Sequence, residues 1–193
     1  MNDTLTHAPA GALYENLTLD EERALYGINH ATVKSCTFDG PADGESALKE
    51  ASDITVESCE FRLRYPFWHV RGGRVVNSTL TDTCRAALWY AAHMTIENTT
   101  LGGIKALREC DGMTLTGCEI DSAEFGWLCR GVELTAAWNA TKWLTVSGNA
   151  TLSENKIENY IDALADSPTY GENLGTKTIA YSPDLVGSAY LDF

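Results

Sequence analysis

A block of 15 residues recurs six times between Ala24 and Asn139, and this repeat constrains the fold more tightly than anything else in the chain. The copies are ALYGINHATVKSCTF (24–38), ALKEASDITVESCEF (47–61), PFWHVRGGRVVNSTL (66–80), ALWYAAHMTIENTTL (87–101), ALRECDGMTLTGCEI (106–120) and FGWLCRGVELTAAWN (125–139). They start 23, 19, 21, 19 and 19 residues apart, a period too short for a pair of helices. A unit of this size cannot bury its own apolar side, so the copies must stack on one another.

Aligned position by position, the blocks separate into distinct environments. Position two holds Leu25, Leu48, Phe67, Leu88, Leu107 and Gly126, and position ten holds Val33, Val56, Val75, Ile96, Leu115 and Leu134. Position fifteen holds Phe38, Phe61, Leu80, Leu101, Ile120 and Asn139. The segments ITVESCEF, MTIENTTL and MTLTGCEI alternate apolar with polar residues and are rich in β-branched side chains, the period-two mark of a strand with one buried face. Position seven (His30, Asp53, Gly72, His93, Gly112, Gly131) supplies a turn just ahead of that strand. Short strands joined by polar turns at this spacing describe the coils of a parallel β-helix. A leucine-rich repeat shares the period. It requires an LxxLxLxxN/C pattern and a convex-side helix or 3-10 segment, where these blocks offer a turn glycine and a second strand-like segment.

Position thirteen carries Cys36, Cys59, Ser78, Thr99, Cys118 and Ala137, and position five carries Ile28, Ala51, Val70, Ala91, Cys110 and Cys129. Small residues at inward positions stack coil upon coil at about 4.8 Å, so these thiols read as core. That spacing lies within the usual disulfide Cα separation, which leaves Cys36–Cys59 and Cys110–Cys129 open as bridges. There is no CxxC pair and no His at ligand spacing, so neither a metal nor another cofactor is expected.

Both ends of a β-helix expose strand edges and the apolar bore, and each needs a cover. Residues 1–23 are polar and acidic, with Leu13, Tyr14, Leu17 and Leu19 placed to cover the first coil. The repeat is lost from Ala140, so 140–193 reads as a capping segment. In it, Trp143, Leu144 and Val146 with the following SGNATL suit a degenerate coil or a strand. Ser153 then precedes ENKIENYIDALA, where Ile157, Tyr160, Ile161 and Leu164 fall at helical spacing behind a serine N-cap.

The 193 residues suit one globular domain with appendages, and 14 Lys and Arg against 27 Asp and Glu give a formal charge of −13. Such a charge argues against nucleic acids and anionic membrane surfaces as partners. No stretch approaches the roughly 18 to 20 apolar residues of a membrane helix. No secretory leader is visible at 1–22, and six cysteines are too sparse for a disulfide scaffold, so a cytoplasmic setting with reduced thiols is expected. The six N-x-S/T triplets, at Asn2, Asn16, Asn77, Asn98, Asn139 and Asn149, then read as chance products of an Asn- and Thr-rich solenoid.

Chemistry concentrates at position three, which carries Tyr26, Lys49, Trp68, Trp89, Arg108 and Trp127. Next to the inward position two, these side chains point outward and form a stripe of aromatics and cations. His69 and Tyr90 share position four beside it. Residues 62–85 hold Arg62, Arg64, Arg71, Arg74 and Arg85 against Asp82 alone, whereas 1–45 hold eight acids against Arg23 and Lys34. Arg64 and Arg85 each stand two residues before a block, which sets them on neighbouring coils beside the tryptophans. The candidate binding face is therefore Arg64, Tyr65, Trp68, His69, Arg85, Trp89, Tyr90, Arg108 and Trp127. Pyranose rings stack on aromatic faces, and guanidinium groups next to indoles hold a carboxylate or phosphate, so the stripe suits a carbohydrate-like or other small anionic ligand. The alternatives are that the tryptophans stack on each other and the arginines pair with acids such as Glu60, Glu97 or Glu109. On the same face, a polysaccharide lyase would use Arg64, Arg85, Tyr65 or His69 as base, and a glycoside hydrolase would need two carboxylates, for which only Glu109 and Glu124 offer themselves. A third possibility is a structural solenoid whose stripe serves a protein partner or a homo-oligomer.

The segments RALYGINHATVKSCTF, GESALKEASDITVESCEF, YPFW and RAALWY, with the LREC and WLCRG turns, occur together in order and register. In these the chain resembles a family of uncharacterised bacterial proteins, a domain of unknown function of the pectin-lyase-like type. The resemblance covers about Leu17 to Leu134 and implies a right-handed helix with no established catalytic residues. Other members continue through further regular coils, whereas this chain leaves the pattern after Asn139. The expected fold is all-β, a single-stranded right-handed parallel β-helix of about six coils over 24–139, with 1–23 as N-terminal cap and a short helix or loop closing the C-terminal end.

Overall fold

The repeat makes one coil per copy, and each corner is a residue in the left-handed region. The computed structural model describes residues 11–40, 45–141, 144–152, 156–157, 161, 167–175, 177–178 and 185–192. Position seven has φ between 48° and 70° in all six coils, as the turn before the strand requires. Two further corners appear at position twelve (Ser35, Ser58, Asn77, Asn98, Gly117) and position four (Gly27, Glu50, His69, Tyr90, Glu109, Leu128). Ser, Asn and Gly at position twelve are ordinary occupants of this conformation. Glu, Tyr and Leu at position four are not, and the stacked coils must hold them there.

The corners divide the chain into three ladders of strands. The largest sheet contains β1 (Leu13–Glu15), β3 (Thr32–Lys34), β5 (Ser52–Glu57), β7 (Arg71–Val76), β10 (Thr95–Glu97), β13 (Asp111–Thr116), β15 (Arg130–Thr141), β16 (Leu144–Leu152) and β19 (Leu185–Asp192), in that order. The second contains β2 (Thr18–Leu19), β4 (Thr37–Phe38), β6 (Glu60–Phe61), β8 (Thr79–Leu80), β11 (Thr100–Gly102) and β14 (Glu119–Asp121). The third pairs β9 (Leu88–Trp89) with β12 (Leu107–Arg108). Every pairing from β1 to β15 is parallel, so the architecture is a β-solenoid of about six turns. Registers match the repeat: Val33, Val56, Val75, Ile96, Leu115 and Leu134 face one another in sequence along the first sheet.

Positions two, five, ten, thirteen and fifteen line the bore in most coils, while Ile120 at position fifteen is exposed. Phe38 stacks on Phe61 at 4.5 Å between centroids, and Phe67 closes on Phe61 at 4.9 Å. The inward position thirteen solves a polar problem at the corner. The Cys59 N–H donates to Ser78 Oγ (3.1 Å) and the Ser78 N–H to Thr99 Oγ1 (3.3 Å), while each hydroxyl donates to the carbonyl two residues back. The Cys36 N–H reaches the Cys59 sulfur in the same way at 3.4 Å. Small side chains that donate and accept thus satisfy backbone groups that no strand partner reaches. All six cysteines are free thiols. Cys110 and Cys129 stack by a Cys110 N–H to Cys129 Sγ contact of 3.3 Å.

Stacking begins before the first copy of the repeat. β1 and β2, within the segment read as a cap, pair in register with β3 and β4, and Tyr14 and Leu19 pack partly against the core. At the other end β15 pairs with β13 only as far as Thr135, then runs on as one arm of an antiparallel hairpin with β16. Leu144 and Val146 therefore lie in a strand, and β19 adds to its far side. The helix expected behind Ser153 falls mostly outside the described residues, Tyr160 and Leu164 included. The described positions within it are extended: β17 (Lys156–Ile157) pairs antiparallel with β18 (Lys177–Thr178), and Ile161 bridges Asn173. Cross-strand partners there override a helical spacing of only two turns. No described helix is long and apolar enough to cross a membrane.

Candidate functional site

Stacked coils bring five of the predicted residues into one aromatic cluster. Trp68 and Trp89 lie face to face at 4.9 Å with their planes 7° apart. His69 stacks on Tyr90 at 4.9 Å, and each packs beside the tryptophan of its own coil. Tyr65 stands edge-on to both indoles, at 6.0 and 5.4 Å. Position three thus supplies two rings and position four two more, one step apart in the stack. Position four holds its rings at left-handed corners, a conformation that costs about 1–3 kcal/mol for bulky residues and that gathers at functional sites.

The outer faces of the indoles are covered. Lys49 Nζ sits 4.1 Å from the Trp68 centroid, and the Arg108 guanidinium carbon 4.1 Å from that of Trp89. The stripe is therefore a cation, indole, indole, cation column. A sugar ring cannot stack on either indole as the sequence suggested, because one broad face meets the other indole and the second meets a cation. What remains is the ring edges. Both indole Nε1 atoms are buried; that of Trp68 meets no acceptor among the described residues, whereas the Trp89 N–H is turned toward Glu109 and Tyr90 without reaching full hydrogen-bond geometry. A buried donor left unpaired costs about 1–3 kcal/mol.

Acids and a third cation lie beside the cluster. Glu109 receives Arg108 Nε at 3.0 Å, and the Tyr90 hydroxyl, that guanidinium and the Trp89 N–H together hold its carboxyl below the usual value. Glu109 in turn raises the Tyr90 phenol. Glu50 accepts the Tyr26 hydroxyl at 2.5 Å, which raises the Tyr26 phenol. Glu50, Ala51, Ser52, His69 and Arg71 line an open depression of about 350 Å³ alongside the cluster. Glu50 and Arg71 were not predicted, and Lys49 and Glu109, named as a stripe cation and a candidate hydrolase carboxylate, stood outside the candidate binding face. Their signal was present, since all but Arg71 occupy positions three and four.

The remaining predicted residues scatter. Trp127 follows Arg108 in the stripe through a parallel bridge, is 45% exposed, and carries Lys105 Nζ over its ring at 3.8 Å. Arg64 is half-buried and Arg85 exposed, and they do not occupy equivalent places. The Tyr65 N–H donates to the Cys84 carbonyl at 3.1 Å, which sets Cys84 rather than Arg85 level with Arg64. The cause is a 3-10 turn at Asp82–Cys84 that lengthens this connection. Elsewhere arginines pair with the acids named as alternatives: Arg62 with Glu60 and Asp39, Arg74 with Glu97, and Arg108 with Glu109. Glu109 and Glu124 are engaged separately, Glu124 by Lys105 at 3.0 Å. Among the described residues no three His, Cys, Asp or Glu side chains converge as metal ligands would.

Residues 12–162 match a family described as "Protein of unknown function (DUF3737)". The chain belongs to this family. The match begins at the first stacked coil and runs through the hairpin that follows the last, so the aromatic cluster lies wholly within it. No match was found among curated proteins or among solved structures.

Proposed function

We propose that this protein is a binding module for an acidic, hydroxyl-rich ligand of the carbohydrate type, held at the edge of the Trp68–Trp89 pair. The observation that supports this reading is the buried Trp68 N–H without an acceptor, in an indole pair flanked by Lys49 and Arg108 and beside the Trp89 N–H that leans on Glu109. A ligand oxygen would satisfy the Trp68 donor, and Lys49 favours a carboxylate there. Glu50, His69 and Glu109 on the same side offer acceptors to sugar hydroxyls. The net charge of −13 does not oppose a small ligand, because the site is bordered by Lys49, Arg71 and Arg108. Kinship with pectin-lyase-like helices is part of the proposal, supported by strands that stack in three parallel ladders. So is a bacterial, cytoplasmic setting, for which the six free thiols supply support on the compartment.

The test is a substitution that removes the donors and keeps the rings. W68F/W89F retains a stacked pair but has no indole N–H. Affinity electrophoresis through polygalacturonate should retard the wild type and leave W68F/W89F unretarded, with both migrating alike through neutral dextran. A wild type that polygalacturonate does not retard overturns the reading.

A further inference from the structure

Among the described residues, the largest sheet ends on an edge without a partner strand. β19 is last in its order and, among the described residues, has a strand neighbour on one side only, β16. Its side chains from Leu185 to Leu191 are exposed on both faces, with Leu185, Val186, Tyr190 and Leu191 each between 56% and 61% accessible. An edge of this kind is normally blunted by Lys, Pro or a bulge. LVGSAYLD has no Lys, Arg or Pro, and its single charge is Asp192 at the end. Its pairing with β16 runs over all eight residues without a register shift.

The strand is complementary to itself. In an antiparallel pair related by a two-fold axis, some residue must lie opposite its own copy. With Ser188 at the axis, Leu185 faces Leu191, Val186 faces Tyr190 and Gly187 faces Ala189, so apolar residues meet apolar ones throughout. Moving the axis to Ala189 would instead set Asp192 against Val186. We propose that β19 pairs antiparallel with β19 of a second copy about an axis at Ser188, giving a closed dimer with one sheet running through both chains. Val186, Ser188 and Tyr190 form one face of the junction, and Leu185, Gly187, Ala189 and Leu191 the other.

Sedimentation equilibrium should give twice the chain mass of 21.0 kDa. L185K/L191K sets like charges opposite each other at exposed positions and should weaken the dimer about tenfold or more, with an unchanged circular dichroism spectrum. L185K/L191E sets opposite charges face to face only in this register and should restore the dimer. A monomeric wild type, an open polymer formed through the β1 edge, a dimer indifferent to L185K/L191K, or no rescue by L185K/L191E each overturns the proposal.

Discussion

Gly73 shows how a single residue is dictated by the coil below it. Its φ is +112°, and a Cβ there would lie 2.3 Å from the Ile54 carbonyl oxygen. Backbone cannot yield as a side chain can, so Gly73→Ala should cost about 3 kcal/mol or more in urea denaturation. Gly117 is the opposite case. It occupies the left-handed corner that Asn77 and Asn98 fill in other coils, and a Cβ would meet only the mobile Asn98 Oδ1 at 2.6 Å. Gly117→Asn should therefore stay within about 0.5 kcal/mol of the wild type. Burial also fixes the thiols. It raises Cys59 from 9.0 to about 11 and Cys84 from 9.0 to about 12. The unfolded chain thus releases these protons at lower pH than the native one, so their contribution is intact below pH 9 and is lost as pH rises from there toward 12. The melting temperature should fall across that window, and less steeply in C84A.

At the scale of the element, the position-thirteen corner and the position-three column do different work. The corner is a chain of buried hydrogen bonds, and Ser78→Ala would orphan the Cys59 N–H at a cost of about 1–3 kcal/mol. Ser78→Cys should recover most of that in the same denaturation series, because Cys59 serves Cys36 in this way one coil away. The column is exposed at its ends, and removing a cation from it uncovers an indole face. Arg108→Ala should cost only about 0.5–1 kcal/mol, yet it should shift Trp fluorescence to the red as Trp89 meets water. The strands, the inward positions and the turn at position seven were legible in the sequence because each leaves a periodic mark on residue type. The corner at position four was not, since Glu, Tyr and Leu carry no turn signal and contacts with the next coil hold the residues there, such as the His69 N–H to Trp89 carbonyl bond of 2.9 Å.

At the scale of the molecule, the buried side chains among the described residues extend from Ala24 to Val132, within the coils. The antiparallel strands β16 and β19 are joined to the coils through one arm of β15, and none of their described side chains is buried. A solenoid is held by nearest-neighbour contacts, and its least supported layer opens first. Native-state hydrogen exchange should find slow amides in β5, β7, β10 and β13, and faster exchange by local opening in β16. Equal protection in both regions would contradict this ordering.

The sequence by itself determined that the chain stacks, where most coils begin and end, which positions fill the bore, and that position three carries the unusual chemistry. Each is a property of residue type repeated at a fixed period, and period survives without coordinates. The tertiary structure alone decided how that chemistry is presented. It turned a stripe expected to offer ring faces into a column offering ring edges, because stacking at strand spacing brings each indole face against its neighbour. It also separated Arg64 from Arg85 by a single inserted turn, and extended the sheet past the last repeat as antiparallel strands. These outcomes depend on register between coils, which is set by backbone hydrogen bonds and not by the residues of any one coil.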